Sequence, residues 1–330
     1  MDKIDFIMLW VDDNDPMWQE SYCKYAKETY GKTKSPRFRD WGTLKYWFRG
    51  VEKYAPWVNK IFFITCGHYP QWLNINHSKI RFLKHEDYIP QEYLPTFNSH
   101  TIELNFNRIE ELSEKFVYFN DDTFIINKVM PNRFFRNGLP CDMGVLNAIQ
   151  PHFDSLGYIL NNDVSFINKY CNKKESLRKN FSKWFTPKYG FKLLRTIALS
   201  GYERYTGFMD PHLPNSFLKR TLQEVWNTND PILDLTCQSR FRNYNNINQY
   251  VFRYWQLTNG NFFPIDVSKD SYSFSEMNDE IFEYAIKMIL ERGKDIVCIN
   301  DGNLGDFESC KQRLINAFET ILPEKSTFEI

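Results

Sequence analysis

The residues most able to do chemistry are two adjacent carboxylates, Asp121 and Asp122, that close the apolar run in FVYFNDDTFI. Two acids behind a buried strand are costly unless a cation neutralises them. Mg²⁺ or Mn²⁺ bridging a nucleotide diphosphate meets that need, because hard cations take carboxylate oxygens. Two further apolar runs end the same way. One leads into Asp12, Asp13, Asn14 and Asp15, the other, in VCINDGN, into Asn300 and Asp301. Asp301 joins Asp121 and Asp122 as a candidate metal ligand. Asp12, Asn14, Asp15, Asn98 and Asn300 are candidate donor-binding residues.

Three other segments carry candidate groups. In LPTFNSHTIE, Pro95, Asn98 and Ser99 form a loop feeding a helix with His100 and Glu103 in its first turns. A helix N-terminus there could face phosphate. In DPHLPNSF, His212 lies between two prolines that fix the backbone on either side. Its titration range suits proton transfer or a charge-assisted bond to phosphate. In SRFRNYNN, Arg240 and Arg242 could grip phosphate bidentately and stabilise charge during phosphoryl transfer. Taken singly, each has a plainer use: an acidic turn that caps a helix, a loop histidine, a surface arginine. The chain has no G-x-x-x-x-G-K-[ST], G-x-S-x-G or H-E-x-x-H, which removes P-loop NTPases, α/β-hydrolases and common zinc peptidases.

The elements that must position these groups read as α/β. Continuous apolar runs at 4–11, 61–66, 80–83 and 116–119 suit buried parallel strands. Leu44, Trp47, Phe48, Val51 and Tyr54 recur at helical spacing and should stop before Pro56. Residues 101–114 predict a helix with Ile102, Phe106, Ile109 and Leu112 on one side. Helices are also expected at 216–227, 247–257, 278–291 and 307–321. The expected fold is therefore a mostly parallel, Rossmann-like sheet flanked by helices, with ligands at the carboxyl ends of the strands.

Residues 151–208 break the pattern. Lys169, Lys173, Lys174, Arg178, Lys179, Lys183, Lys188, Lys192 and Arg195 outnumber the acids, with Trp184, Phe185, Tyr189 and Phe191 interleaved. This segment reads as a helical insertion, either solvated or facing an anionic acceptor or membrane lipid. The expected organisation is 1–150 for nucleotide sugar and metal, 151–208 as the variable insertion, and 209–330 completing the same catalytic domain.

The 330 residues have a formal net charge of zero, so nothing in the total points to nucleic acid. Of the 29 Phe, 19 Tyr and 9 Trp many must be core, but exposed ones could stack on sugar rings or bases. Seven scattered cysteines without C-x-x-C argue against a disulfide framework or zinc ribbon. The run at 6–11 is too short for a signal peptide, and no stretch approaches the roughly 20 apolar residues of a membrane span. A cytoplasmic protein, with at most peripheral contact at the inner face of the membrane, is the expectation.

Residue reasoning stops at a metal-dependent transferase, with an ordinary glycosyltransferase as the alternative. The segments IDFIMLWVDDNDP, LKYWFRGVEKYAPWVNKIFFITCGHYPQWLN, LPTFNSHTIELNFNRIEELSEKFVYFNDDTFI, PHLPNSF with SRFRNYNN, and VCINDGN go further. In order and content they closely resemble the Stealth family of sugar phosphotransferases, densely over 4–135 and more sparsely over 205–310. The resemblance implies a nucleotide-sugar-transferase-like fold and a UDP-sugar donor. It also implies Mg²⁺ or Mn²⁺, a glycan or lipid-linked oligosaccharide acceptor, and catalytic roles for Glu103, Asp122, His212 and Arg242. Either Glu103 or His212 would be the base. Trp41, Thr43 and Lys45 depart from the family's usual Asn, Glu and Arg.

Overall fold

The apolar runs of the first third form four parallel strands: β1 (Ile4–Leu9), β2 (Ile61–Thr65), β3 (Ile80–Lys84) and β4 (Lys115–Phe119). The computed structural model describes residues 3–30, 40–151, 156–274, 277–302 and 304–330. β1 lies between β2 and β4, with Phe6 opposite Ile61 and Val117. Side chains alternate across the strands. Phe6, Met8, Val117 and Phe119 enter one core layer, while Ile7, Phe116 and Tyr118 enter the other. Both faces of the sheet are therefore covered, as its near-continuous apolar strands require.

The helices between them are α1 (Pro16–Tyr30), α2 (Leu44–Tyr54) and α3 (Ser99–Leu104). The first was not anticipated. Asp15 caps it, accepting from the Trp18 N–H at 2.7 Å, and Trp18, Tyr22 and Ala26 bury one sparse stripe. The helix expected at 101–114 is far shorter. Asn105 ends it: its Nδ2 donates to the Thr101 carbonyl at 2.8 Å and its Oδ1 accepts from Arg108 Nε at 2.8 Å. A side chain that competes for backbone groups stops the helix, and a single 3₁₀ turn follows.

The chain continues through β5 (Thr123–Ile125), β6 (Phe135–Arg136) and β7 (Leu139–Asp142). The basic segment forms helices α4 (Gly157–Tyr170), α5 (Lys173–Lys179), α6 (Phe181–Trp184) and α7 (Leu193–Ser200). The helix expected at 216–227 begins as a strand instead. β8 (Asn215–Leu218) pairs antiparallel with the edge of β4, and α8 (Lys219–Trp226) follows. The open edge of β4 outweighs helical periodicity over these residues.

Next come α9 (Pro231–Gln238), α10 (Tyr250–Thr258), β9 (Phe263–Pro264), β10 (Ser271–Phe274), α11 (Asp279–Glu291), β11 (Ile296–Ile299) and α12 (Phe307–Ile321). The five-stranded sheet has the order β3-β2-β1-β4-β8. A separate three-stranded sheet, β10-β11-β5, lies beyond the end of β4. The result is a mixed α/β fold with a parallel-rich central sheet.

Candidate active site

The second sheet explains why two acidic strand ends matter together. β4 runs into the turn at Asn120, Asp121 and Asp122, and the chain reverses into β5. β5 pairs antiparallel with β11, Cys298 opposite Thr123, and the Ile299 N–H donates to the Asp122 carbonyl at 2.8 Å. Asn300 and Asp301, next along the chain, thus leave β11 beside the Asp121–Asp122 turn. Asp12 to Asp15 follow β1, the parallel neighbour of β4, and so issue from the same edge. Their carboxylates shape local structure: Asp12 Oδ1 accepts from the Asn14 N–H at 2.9 Å, and Asp15 caps α1.

Asp122 meets His212, with Oδ2 and Nε2 3.0 Å apart. The histidine sits in a left-handed conformation, φ 47°. Burial works against its charged form, but the Asp122 hydrogen bond and the charges of Asp122, Asp121 and Glu103 outweigh it, so its pKa is raised.

Glu103 is buried beneath them. The Tyr118 hydroxyl donates to Oε1 at 3.1 Å and the Gln249 N–H to Oε2 at 3.3 Å. Burial raises its pKa, against the opposing pull of Arg242 and these hydrogen bonds. Arg242 is exposed, and its Nη2 donates to the Ser99 hydroxyl at 2.8 Å. Ser99 in turn bonds the Glu103 carboxylate, so α3 links the two. With six residues, α3 is too short to offer an anion site of its own, and Arg242 lies over its first turn. Arg240 turns away and stacks on Tyr25, 4.5 Å from the ring centre. Asn98 is fully enclosed: its Nδ2 donates to the Ser239 carbonyl and Asn246 Oδ1, both at 3.0 Å, which ties the Arg242 loop to α3.

The metal ligands need sorting. Among the described residues, the group of ligating atoms lying within 4.8 Å of one another is Asp122, His212 and Cys298. Cys298 is a poor partner for a hard cation. Burial, then the charge of Asp122, pushes its thiol well above the ordinary value and keeps it protonated. Asp301 does not join this group, and its Oδ1 accepts from the Gly302 N–H at 2.8 Å. Asp121 does not join it either, so Asp122 is the one carboxylate in the group, with Asp121 next to it in the chain. Asp121 reaches solvent, yet the atoms crowded round its carboxylate and the charges of Asp122 and Asp40 push its pKa up to about 7. Unrelieved repulsion between neighbouring carboxylates is what a divalent cation removes, so these two acids fit Mg²⁺ or Mn²⁺.

Sequence reasoning missed Asp40, whose charge acts on Asp121. It also missed a clamp under the histidine loop. Arg253 of α10 grips Asp142 through Nε at 2.8 Å and Nη2 at 2.9 Å, and pairs through Nη1 with Asp210. The Tyr254 hydroxyl donates to the same Asp210 carboxylate. Asp210 stands two residues before His212. The DPHLPNSF motif held the one available signal, an acid beside a rigid histidine. The departures at Trp41, Thr43 and Lys45 fall on packing positions: Trp41 meets Phe307 edge-on at 4.7 Å, Thr43 is buried, and Lys45 lies over Tyr46.

The α/β sheet thus carries a carboxylate–histidine pair, a buried glutamate and an arginine at its carboxyl edge. Residues 37–141 match the family model described as Stealth protein CR2, conserved region 2. The chain is 45% identical over 334 residues to a capsular polysaccharide phosphotransferase, WcwK, of Streptococcus pneumoniae, covering 100% of this chain and 98% of that protein. It is 40% identical over 332 residues to the exopolysaccharide phosphotransferase cps2G of Lactiplantibacillus plantarum, covering 99% and 96%. The receptor polysaccharide phosphotransferase WefC of Streptococcus oralis is 38% identical over 342 residues, covering 100% of both chains. Among solved structures, the galactosyltransferase LgtC aligns with a TM-score of 0.37 at 12% identity, over 94% of this chain and 95% of that one, too remote to carry weight. The chain is a phosphotransferase enzyme. It belongs to the Stealth family of sugar phosphotransferases.

Proposed function

We propose that this enzyme transfers hexose-1-phosphate or N-acetylhexosamine-1-phosphate from a UDP-sugar to a hydroxyl of a cell-surface polysaccharide or its lipid-linked precursor. The products are a phosphodiester and UMP. The observation that carries the reading is the Asp122–His212 pair at 3.0 Å, with Glu103 and Arg242 close enough to shift one another's charge. The polysaccharide acceptor follows the names of the relatives, and the cytoplasm is the proposed place of reaction.

The acceptor oxygen attacks the β-phosphorus, a new O–P bond forms, and the bond from that phosphorus to the bridging oxygen breaks with UMP as leaving group. The acceptor's proton needs a base. With Nε2–H donating to Asp122, the Nδ1 lone pair of His212 can take it, and the Asp122 charge stabilises the imidazolium that results. Glu103 is less suited, because both its oxygens already accept hydrogen bonds. Its negative charge instead holds Arg242 near the diphosphate, where the guanidinium meets charge building on phosphorus. Asp122 and Asp121 would hold a Mg²⁺ or Mn²⁺ ion, which would supply further neutralisation of charge on the diphosphate.

The experiment is to incubate enzyme, a panel of UDP-sugars and a defined acceptor, then separate the nucleotides and inspect the product. UMP together with a phosphodiester in the glycan is expected, and Asp122→Asn or EDTA should stop its release. UDP with no phosphorus in the product would make this a conventional metal-dependent glycosyltransferase instead. Full activity in EDTA would sink the metal assignment.

A further inference from the structure

Helix α7 is apolar on two faces: Leu193 and Leu199 pack against the core, while Leu194 and Ile197 face outward. Its one buried side chain is Thr196, whose hydroxyl accepts from the Leu146 N–H at 3.1 Å. The opposite face carries Leu194, 61% exposed, Ile197, 52% exposed, and Ala198. These positions are three and four apart and so are neighbours on one helix face. Phe191, three residues earlier, is 92% exposed, and Tyr202, just beyond the helix, stands in solvent as well. A globular helix turns its apolar stripe to the core. Scattered exposed apolar residues are common, but a contiguous apolar ridge marks a surface that something covers.

The charges around the ridge say what covers it. Lys188, Arg195 and Arg204 are exposed, and Lys192 is paired with Asp266. Glu203 is the lone acid between residues 188 and 204. Lys174 and Arg204 line one open cavity at the end of α7. Arg195 projects from the flank of the ridge, roughly 100° round the helix from Leu194. Large apolar side chains at the crest with cations on the flanks match a bilayer interface. There the crest enters the acyl boundary and the cations meet lipid phosphates. A second copy of the chain fits less well. A stable interface buries about 800 Å² on each partner, and one ridge of two helical turns offers much less.

We propose that the ridge Phe191–Leu194–Ile197 docks this enzyme peripherally on an anionic membrane surface. No helix among the described residues is long and apolar enough to cross a membrane, so attachment would be at the surface. The segment that seats α7 also seats the chain leading to His212. The Asn147 N–H donates to the Gly207 carbonyl at 3.0 Å, and the Met209 N–H to the Val145 carbonyl at 2.9 Å. Docking would thus set the catalytic histidine loop one layer from the bilayer. This docking does not depend on which phosphate bond the enzyme breaks.

The test is co-sedimentation of the full chain with vesicles of phosphatidylcholine alone or mixed with phosphatidylglycerol. Binding to the mixed vesicles, weakened by salt, is expected. The triple variant Phe191→Ser, Leu194→Ser, Ile197→Ser should partition at least ~100-fold less, since it deletes the inserted apolar groups. Its thermal melting and its turnover of a water-soluble acceptor should stay as in wild type, because these side chains are exposed. Arg195→Glu with Arg204→Glu should weaken binding to the anionic vesicles by on the order of tenfold or more and leave binding to neutral ones unchanged. Wild-type protein left in the supernatant, or a triple variant that still sediments, would overturn the proposal. So would a wild-type dimer in sedimentation velocity that the triple variant abolishes, since the ridge would then belong to a second copy.

Discussion

Two buried arginines hold the molecule with the same device and with different consequences. Arg49, 5% exposed, grips Glu329 through Nε and Nη2 and reaches Glu319 and the Leu322 carbonyl through Nη1. Arg253, 1% exposed, grips Asp142 in the same two-pronged way and reaches Asp210 through Nη1. The first fastens α2 to the C-terminal helix and tail. The second fastens α10 to the loop that ends in His212. A bidentate arginine fixes the angle as well as the distance of its partner. In one place that order only stabilises. In the other it also holds the loop of His212, the proposed base, whose backbone is left-handed.

Removing either arginine strands a buried carboxylate, Glu329 or Asp142, and breaking such a network costs about 3–5 kcal/mol. Arg253→Met and Arg49→Met should therefore lower stability comparably in denaturant unfolding. The comparison breaks or holds on kinetics. Below its melting range, the Arg49 variant should turn over as wild type. The Arg253 variant should lose kcat by roughly tenfold or more with little change in donor KM, the mark of a misplaced reacting group. Equal kcat in both variants would show that the histidine loop needs no clamp.

Arg242 sharpens the contrast from the other side, being an arginine left exposed at the site. If it grips phosphate with two parallel bonds, lysine cannot stand in. Arg242→Lys should lose at least ~100-fold in turnover, the scale of one lost transition-state donor, with its melting temperature unchanged. A near-wild-type lysine variant would reduce Arg242 to a surface charge.

What could be read from the sequence divides along the same line of local against long-range. The four central strands were legible because buried parallel strands are unbroken apolar runs, and α12 emerged at 307–321 as read. α1 was hidden because its stripe of Trp18, Tyr22 and Ala26 is sparse, although Asp15 before Pro16 is a capping signal. β8 was hidden because only the open edge of β4 makes it a strand. The acids, His212 and Arg242 were visible as residue types, but their meeting was not. It depends on β5 pairing with β11 and on a histidine 90 positions from its aspartate. Arg253 reads locally as a helix-surface base, and nothing in α10 announces that it is buried. The basic and aromatic content of 151–208 was plain, but the outward turn of the α7 ridge depends on Leu193, Thr196 and Leu199 of the same helix turning to the core.

The finest test of the comparison is pH, because the two clamps respond with opposite signs. Burial pushes Asp210 up from its ordinary 3.8 to about 6, more than Arg253 and the Tyr254 hydroxyl offset, since Arg253 is shared with Asp142. The folded state thus keeps a proton that the unfolded chain has lost. The stability this contributes is complete below pH 3.8 and disappears as pH rises through about 6. Glu329 runs the other way. Burial opposes its ionisation, but hydrogen bonds from Arg49 and Ser326 and the Arg49 charge prevail, so its folded pKa falls below the ordinary 4.5. Its contribution is present above pH 4.5 and disappears as pH falls through the lower folded value. Unfolding free energy measured against pH should therefore separate the two. Asp210→Asn should remove a downward slope between about pH 4 and 6. Glu329→Gln should flatten the loss on the acid side and leave the other slope alone. If Asp210→Asn leaves the slope in place, the proton is held elsewhere, and Asp210 is an ordinary ionised partner of Arg253, as Glu329 is of Arg49.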